Sequence, residues 1–186
     1  MPLSLTHALI PVAGAVAAAR KPIPGRLLVA AMIVAIIPDL DGLWKHAPGL
    51  GDQSIWSHRG VTHSMFVALL FGILAAFFHR RLRVLPLTAG VVVAAAMASH
   101  GLLDMMTDSG RPVAYLWPLT SARLFADWRP IPGSGLHPAD IPPLQEIMRR
   151  ALIEMRQVIA PLFGVALTIR LIVSLSDRVK RRKGTD

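Results

Sequence analysis

The sequence predicts an all-α membrane protein, a polytopic bundle of about five helices with a metal site at one membrane face. Hydrophobic residues make up 53% of the 186 residues, charged residues only 17%, and the mean hydropathy is +0.51. Soluble domains contain about 25% charged residues, so lipid is the expected solvent of this chain. The chain has no cysteine, which excludes a disulfide scaffold and a Cys-ligated zinc module.

Long apolar runs, bounded by basic residues, proline or glycine, define the predicted helices. They cover residues 3–19, 27–37, 61–78, 84–103 and 158–175. The first run could be a signal peptide, but its basic residues follow it instead of preceding it, so we predict a retained helix. The second run covers only about 17 Å, too short for a hydrocarbon core of about 30 Å. Its end is therefore either shielded by other helices or part of a re-entrant segment.

The whole chain is predicted to form one domain over residues 1–186. Its core is expected at residues 5–130, followed by an interfacial and then transmembrane helix at 144–176 and a basic tail at 177–186. The first part of that helix alternates charged and apolar residues, which is typical of a helix lying in the membrane interface. A basic tail after a membrane helix usually fixes topology or contacts anionic lipid, so nucleic acid is not expected as the primary partner.

Basic residues cluster between the first two helices, between the third and fourth, and after the last. An up-and-down arrangement places these three clusters on one side, which the positive-inside tendency makes cytoplasmic. The C-terminus is then cytoplasmic, and the opposite face is extracytoplasmic. That face collects nearly all residues capable of chemistry: His7, Asp39, Asp41, His58, Arg59, His63, His100 and Asp104. Ionisable groups near a membrane are costly unless they are paired or bound to metal, so we predict a functional site there.

The pair His100 and Asp104 lies four residues apart, on one face of the fourth helix. Alone, such a pair is usually a hydrogen bond; with ligands from other helices it favours a metal site. Asp39 and Asp41 lie two apart in a predicted turn, where an extended backbone points them in opposite directions. We expect Asp39 to bind metal, and Asp41 to orient a ligand, bind a second ion or serve only the turn.

The stretch from His58 to Ser64 reads His-Arg-Gly-Val-Thr-His-Ser. Its two histidines reach one site only if a helix begins between them, with Gly60 supplying the turn. Thr62 would cap that helix, whose first N–H groups would form an anion site beside Arg59. The alternative is that Arg59 anchors the chain at the interface and His63 is an ordinary helix residue.

These motifs resemble the YdjM-like family of bacterial proteins, which are described as inner-membrane-associated metal-dependent hydrolases and also carry a LexA-binding label. The resemblance covers roughly residues 5 to 130. It rests on His7 and on the motifs at residues 38–41, 58–64 and 99–104. It implies a location in the bacterial inner membrane and a metal-dependent hydrolytic activity.

A more remote likeness links the chain to zinc-dependent phospholipase C and the single-strand nuclease group. Their ligands also run His, Asp, His and then His-x-x-x-Asp. The likeness implies a ligand set of His7, Asp39, one or both of His58 and His63, His100 and Asp104. No second histidine pair follows Asp104. We therefore expect one or two ions instead of a three-metal cluster.

Mixed imidazole and carboxylate ligands suit Zn(II), with Mn(II) or Fe(II) as alternatives. Such ions lower the pKa of bound water towards about 7, which suits ester hydrolysis. Arg59, Asp41 and His58 are the predicted catalytic residues, with Arg59 holding an anionic oxygen. The leading prediction is hydrolysis of a phosphoester of a lipid or another anionic substrate at the membrane surface. The alternative is a non-enzymatic membrane regulatory or binding protein with a structural metal site.

Overall fold

The regular secondary structure is helical throughout the described part of the chain. The computed structural model describes residues 4–18, 22–44, 54–133 and 143–183. Its α-helices are α1 (Ser4–Ala17), α2 (Gly25–Val34), α3 (Met65–Phe77), α4 (His79–Leu82), α5 (Pro86–Met105), α6 (Leu144–Glu154) and α7 (Ala160–Lys183). Two isolated β-bridges in the segment after α5 are the extended pairings in these ranges. The all-α prediction is confirmed.

The core forms where α2 and α3 pack against α5. Leu27 of α2 lies among Ala75, Ala89 and Val93, and all four side chains are buried. The backbones of α3 and α5 approach closely at Gly72, where an added Cβ atom would lie 2.8 Å from the Cβ atom of Ala94. Small residues at this crossing therefore allow the closest packing of the bundle's central helices.

Two helices are long and apolar enough to cross a membrane, by length and composition. They are Pro86–Met105, which is α5, and Leu144–Lys180, which joins α6, a π-helical segment at Met155–Ile159 and α7. The predicted interfacial segment is thus continuous with the last apolar helix. The helices α1 and α3 are apolar but shorter. Large apolar side chains nevertheless point outward from α3, where Ile73 is 67% and Phe77 80% exposed.

The connections at one end of the bundle bring distant parts of the chain together. After α2 the chain forms a 3-10 helix at Ile37–Trp44, and a 3-10 turn at Val61–His63 leads into α3. The C-terminal end of α5 and the start of α1 reach the same end, because Thr6 and His7 contact Glu154 and Asp104. In the predicted basic clusters, Arg20, Lys21 and the last three residues lie outside the described residues.

Candidate metal centre

The sequence-predicted site residues meet at this end of the bundle. His7 comes from α1, Asp39 and Asp41 from the first 3-10 helix, and His100 with Asp104 from the last turns of α5. The remaining three, His58, Arg59 and His63, come from the segment that leads into α3. The side chains of His7, His100 and Asp104 are completely buried, and those of Arg59 and His63 are nearly so.

Four of these side chains form an inner group whose candidate ligand atoms all lie within 4.8 Å of one another. They are Asp39, His63, His100 and Asp104. The Nε2 atoms of His63 and His100 are 3.1 Å apart. His63 Nε2 lies 3.4 Å from Asp104 Oδ2, and His100 Nε2 lies 3.4 Å from Asp39 Oδ1. Two imidazoles and two carboxylates form a donor set that suits a divalent transition metal.

The Nδ1 atoms of His63 and His100, which point away from the inner group, already have partners. His100 Nδ1 lies 2.8 Å from the carbonyl oxygen of Ala35, and His63 Nδ1 lies 3.2 Å from Asp41 Oδ2. Since oxygens of these kinds only accept, each Nδ1 carries a hydrogen and each Nε2 is left with a lone pair. Two Nε2 lone pairs at 3.1 Å repel each other unless a cation lies between them, either a proton or a metal ion. An oxygen that accepts from the outer ring nitrogen is typical of histidine ligands to metals.

Asp41 organises the outer side of the cluster. Its carboxylate oxygens lie 2.5 Å from His58 Nδ1 and 2.5 Å from the hydroxyl of Thr62, which donates to them. Burial alone would raise the pKa of Asp41, but the hydrogen bonds from His58 and His63 outweigh it and hold the pKa below its usual range. Asp41 is therefore ionised and acts as the acceptor for both histidines.

His63 favours a positive charge at the centre of the cluster. Burial by itself would lower the pKa of its imidazole, but Asp104 and Asp41 outweigh burial and raise the pKa to about 9. The positive charge can be supplied by a proton on the ring or by a metal ion that replaces this proton. The pocket is thus electrostatically suited to a cation.

His7 of α1 lies beside the inner group but is not one of its four residues. Its ring stacks on that of His100 with centroids 3.8 Å apart, and its Nε2 lies 3.8 Å from Asp104 Oδ1. Neither ring nitrogen of His7 has a hydrogen-bond partner, and the same holds for Asp104 Oδ1. Buried polar atoms in folded proteins are nearly always bonded. These unpaired donors fit a metal ion, which would give them a partner.

Arg59 holds Asp104 from the other side. Its Nε lies 3.0 Å from Asp104 Oδ2, Nη1 donates to the carbonyl oxygens of Arg111 at 2.7 Å and Ser109 at 3.3 Å, and Nη2 donates to the hydroxyl of Thr107 at 3.1 Å. A guanidinium has five N–H donors, so one remains for another acceptor. The contacts fix the side chain, and its predicted role as a phosphate ligand stays a prediction.

The turn before α3 differs from the prediction in its mechanism. Arg59, with φ of 65°, adopts the left-handed conformation, whereas Gly60 has φ of −87°. Gly60 is required for space, since an added Cβ atom would overlap the carbonyl oxygen of Ile55. His58 and His63 do reach one cluster, as predicted, but the residue with positive φ in the turn between them is Arg59 and not Gly60.

The predicted cap of α3 is also corrected. Ser64, not Thr62, caps the helix, because its hydroxyl accepts from Val67 N at 3.2 Å. Thr62 instead donates to Asp41. The N–H of Met65 donates to the carbonyl oxygen of Tyr115. Two of the N–H groups at this helix start are therefore already bonded, and the anion site beside Arg59 stays a prediction.

The turn predicted around Asp39 and Asp41 is a 3-10 helix, not extended backbone. Its three residues per turn still direct side chains two apart to different sides. Asp39 faces His100, and Asp41 faces His58 and His63. The prediction that the two carboxylates serve different partners agrees with this geometry, although its stated backbone was wrong.

A hydrogen bond that the sequence analysis missed joins α1 to the end of α6. The hydroxyl of Thr6 donates to Glu154 Oε2 at 2.6 Å, and both side chains are buried. The available signal was Glu154 itself, a carboxylate that directly precedes the last apolar helix. An acidic residue in such a place requires a partner. Thr6 lies directly before His7, so the bond also fixes the start of α1 at the cluster.

Helices that can cross a membrane, with a buried histidine and aspartate cluster at one end, define a membrane protein with a candidate metal centre. The chain belongs to the YdjM inner membrane protein family, which matches residues 1–179. It is 36% identical over 132 residues to the inner membrane protein YbcI of Escherichia coli (strain K12), across 70% of this chain and 76% of that protein. No solved structure matches it. The predicted family and inner-membrane location are confirmed.

Proposed function

We propose that the protein is a metal-dependent hydrolase that cleaves phosphoesters at the membrane surface. The observation that carries the proposal is the 3.1 Å approach of His63 Nε2 and His100 Nε2, flanked by the carboxylates of Asp39 and Asp104. His7 is the additional ligand from α1. Zn(II) suits this donor set best, with Mn(II) or Fe(II) as alternatives and one or two ions in total. Such an ion supplies Lewis acidity and lowers the pKa of water that it binds towards about 7.

The pair of His58 and Asp41 provides the proton transfer. His58 is 14% exposed, whereas Asp41 is fully buried. Their 2.5 Å contact places the ring hydrogen on Nδ1, so Nε2 is the basic nitrogen. Hydrolysis forms a bond between phosphorus and the water oxygen and breaks the bond to the leaving alcohol. His58 takes the proton of the water and returns it to that alcohol.

The proposed topology is a polytopic bundle with the site at the extracytoplasmic face and the C-terminus in the cytoplasm. One contact supports the shared side of the basic clusters: Arg26 Nη1 donates to the carbonyl oxygen of Arg81 at 3.4 Å. Arg26 in the first turn of α2 and Arg81 after α3 therefore lie together at the end of the bundle opposite the metal centre. The positive-inside tendency makes this end cytoplasmic. The substrate then meets the site at the depth of the outer head groups.

A second candidate function follows from the degree of burial. His7, His100 and Asp104 are completely buried, and closed metal sites are usually structural, whereas catalytic sites keep an open position. The protein would then be a non-enzymatic regulatory or binding protein whose fold the metal stabilises. Exposure of His58 at the rim favours the hydrolase.

Metal content and phosphodiester turnover test the proposal together. We expect the purified protein to contain a first-row transition metal, His100→Ala to lose both metal and turnover, and His79→Ala to keep both. His79 is the matched control because it lies at the other end of the bundle, where its Nδ1 contacts the carbonyl oxygen of Val84. Unchanged metal content in His100→Ala would remove the site. Bound metal without turnover of any phosphoester would contradict the hydrolase and support the non-enzymatic protein with a structural metal.

A further inference from the structure

An apolar groove runs along the bundle between α1 and α5, about one helical turn from His7 and His100. Its volume is about 320 Å³, and only apolar residues and a glycine line it. The α1 side includes Ile10, Gly14 and Ala18, and the α5 side includes Val92 and Ala96. Small residues such as Gly14 and Ala96 leave the space between the two helices unfilled and so create the groove.

The groove is continuous with the faces of the two helices that carry the stacked histidines. Pro11 lines the groove four residues after His7, and Ala96 lines it four residues before His100. Residues four apart on a helix lie on one face. Since the His7 and His100 rings stack at 3.8 Å, the groove leads up to this ring pair.

The dimensions of the groove decide what can occupy it. From Ile10 to Ala18 a helix advances about 12 Å, so the volume of about 320 Å³ corresponds to a mean cross-section of roughly 27 Å². A helix about 10 Å in diameter has a cross-section of roughly 80 Å². The groove is narrower than a helix, so a helix of a second protein could place only side chains in it. A single hydrocarbon chain fits it.

We propose that this groove holds one acyl chain of a membrane phospholipid whose phosphate ester lies at the metal centre. The inference rests on the proposed function and selects a lipid from the anionic phosphoesters it allows. Its location supports it, since the chain belongs to an inner membrane family and its groove is surrounded by helices with exposed apolar side chains. The acyl chain stays in an apolar environment, so only the head group has to reach the buried donors.

Filling the groove tests this proposal. A Cβ atom at Gly14 would have no neighbour within 4 Å, so Gly14→Leu introduces a side chain at the groove without a clash at the Cβ atom. Gly164 on α7 is equally open and does not line the groove, which makes Gly164→Leu the matched control. Ala95→Leu fills the groove from the α5 side and serves as the second variant if Gly14→Leu fails to insert.

The full chain would be reconstituted in vesicles of phosphatidylethanolamine and phosphatidylglycerol containing tracer phosphatidylglycerol with a diazirine in one acyl chain. After irradiation, mass spectrometry maps the labelled segments. We expect labelling of α1 and α5 along the groove, a decrease of about tenfold or more in Gly14→Leu, and no change in Gly164→Leu.

Equal labelling in wild type and Gly14→Leu, or labelling spread evenly over all exposed apolar helix faces, would overturn the proposal. Replacement of lipid labelling by cross-links between two copies of the chain would assign the groove to a dimer instead. The two proposals fail separately. Groove labelling without phosphoester turnover would count against the hydrolase alone, and turnover without groove labelling would count against the acyl-chain site alone.

Discussion

Replacement of Asp41 by asparagine tests the outer partner of the histidines separately from the inner group of candidate ligands. Asp41 accepts from His63 Nδ1 at 3.2 Å, from His58 Nδ1 at 2.5 Å and from the Thr62 hydroxyl at 2.5 Å, but it faces the outer nitrogens of the histidines. Asparagine keeps the size of the side chain and removes its charge. Ring orientation and basicity of His63 therefore suffer while the inner donors stay in place.

The expected magnitude is that of losing an outer partner of a metal ligand. Such changes typically weaken metal affinity by about 10-fold to 100-fold. This corresponds to roughly 1.4–2.8 kcal/mol, since each 1.4 kcal/mol is a factor of ten. His100→Ala removes an inner donor and should weaken binding further. Asp127→Asn is the matched control, because it makes the same chemical change at an exposed carboxylate.

A chelator competition titration on the purified protein in nanodiscs would measure the metal Kd for each variant. The expected order of affinity is wild type and Asp127→Asn first, then Asp41→Asn, then His100→Ala. Wild-type affinity in Asp41→Asn would refute the role of Asp41 in orienting His63. Affinity lower than that of His100→Ala would mean that Asp41 binds the metal itself.

Three further outcomes are expected. His58→Gln should lower phosphoester turnover by about 10²–10⁴ at unchanged metal content, and steady-state kinetics with equal rates would remove its proton-transfer role. Arg59→Lys should lower thermal stability in nanodiscs, by about 1–3 kcal/mol for each buried acceptor left unpaired, whereas a wild-type melting curve would show that the planar fork is dispensable. In this cysteine-free chain, a membrane-impermeant thiol reagent added outside should label Ser121→Cys but not Arg80→Cys; the reverse pattern would invert the topology.

The helices could be predicted because each follows from a local property of the chain. The apolar runs correspond to α1, α2, α3, α5 and α7. A basic residue or a proline follows within a few residues of the runs that form α1, α2, α3 and α7. The boundary between α6 and α7 could not be placed, because a π-helical segment such as Met155–Ile159 continues the helix and leaves no breaker in the sequence.

The composition of the cluster could be predicted because ionisable residues are few in this chain and nearly all precede or follow apolar helices. The role of each residue within the cluster could not be predicted. That His63 uses Nδ1 for Asp41 and His100 uses Nδ1 for Ala35 depends on the packing of α2 and α3 against α5. The left-handed backbone of Arg59 could not be predicted, because glycine adopts positive φ far more readily and Gly60 is the next residue.

The hydrogen bond between Thr6 and Glu154 joins residues 148 positions apart, so it links a segment synthesised early to one synthesised late. At a synthesis rate of about 5–20 residues per second, the ribosome needs roughly 7 to 30 s to make the intervening chain. During this interval Thr6 lacks its acidic partner, whereas His7 can contact His100 and Asp104 as soon as α5 has been made. All the candidate metal ligands precede Glu154 in the chain. The bond that joins α1 to the end of α6 can therefore form only after every one of these ligands has been synthesised.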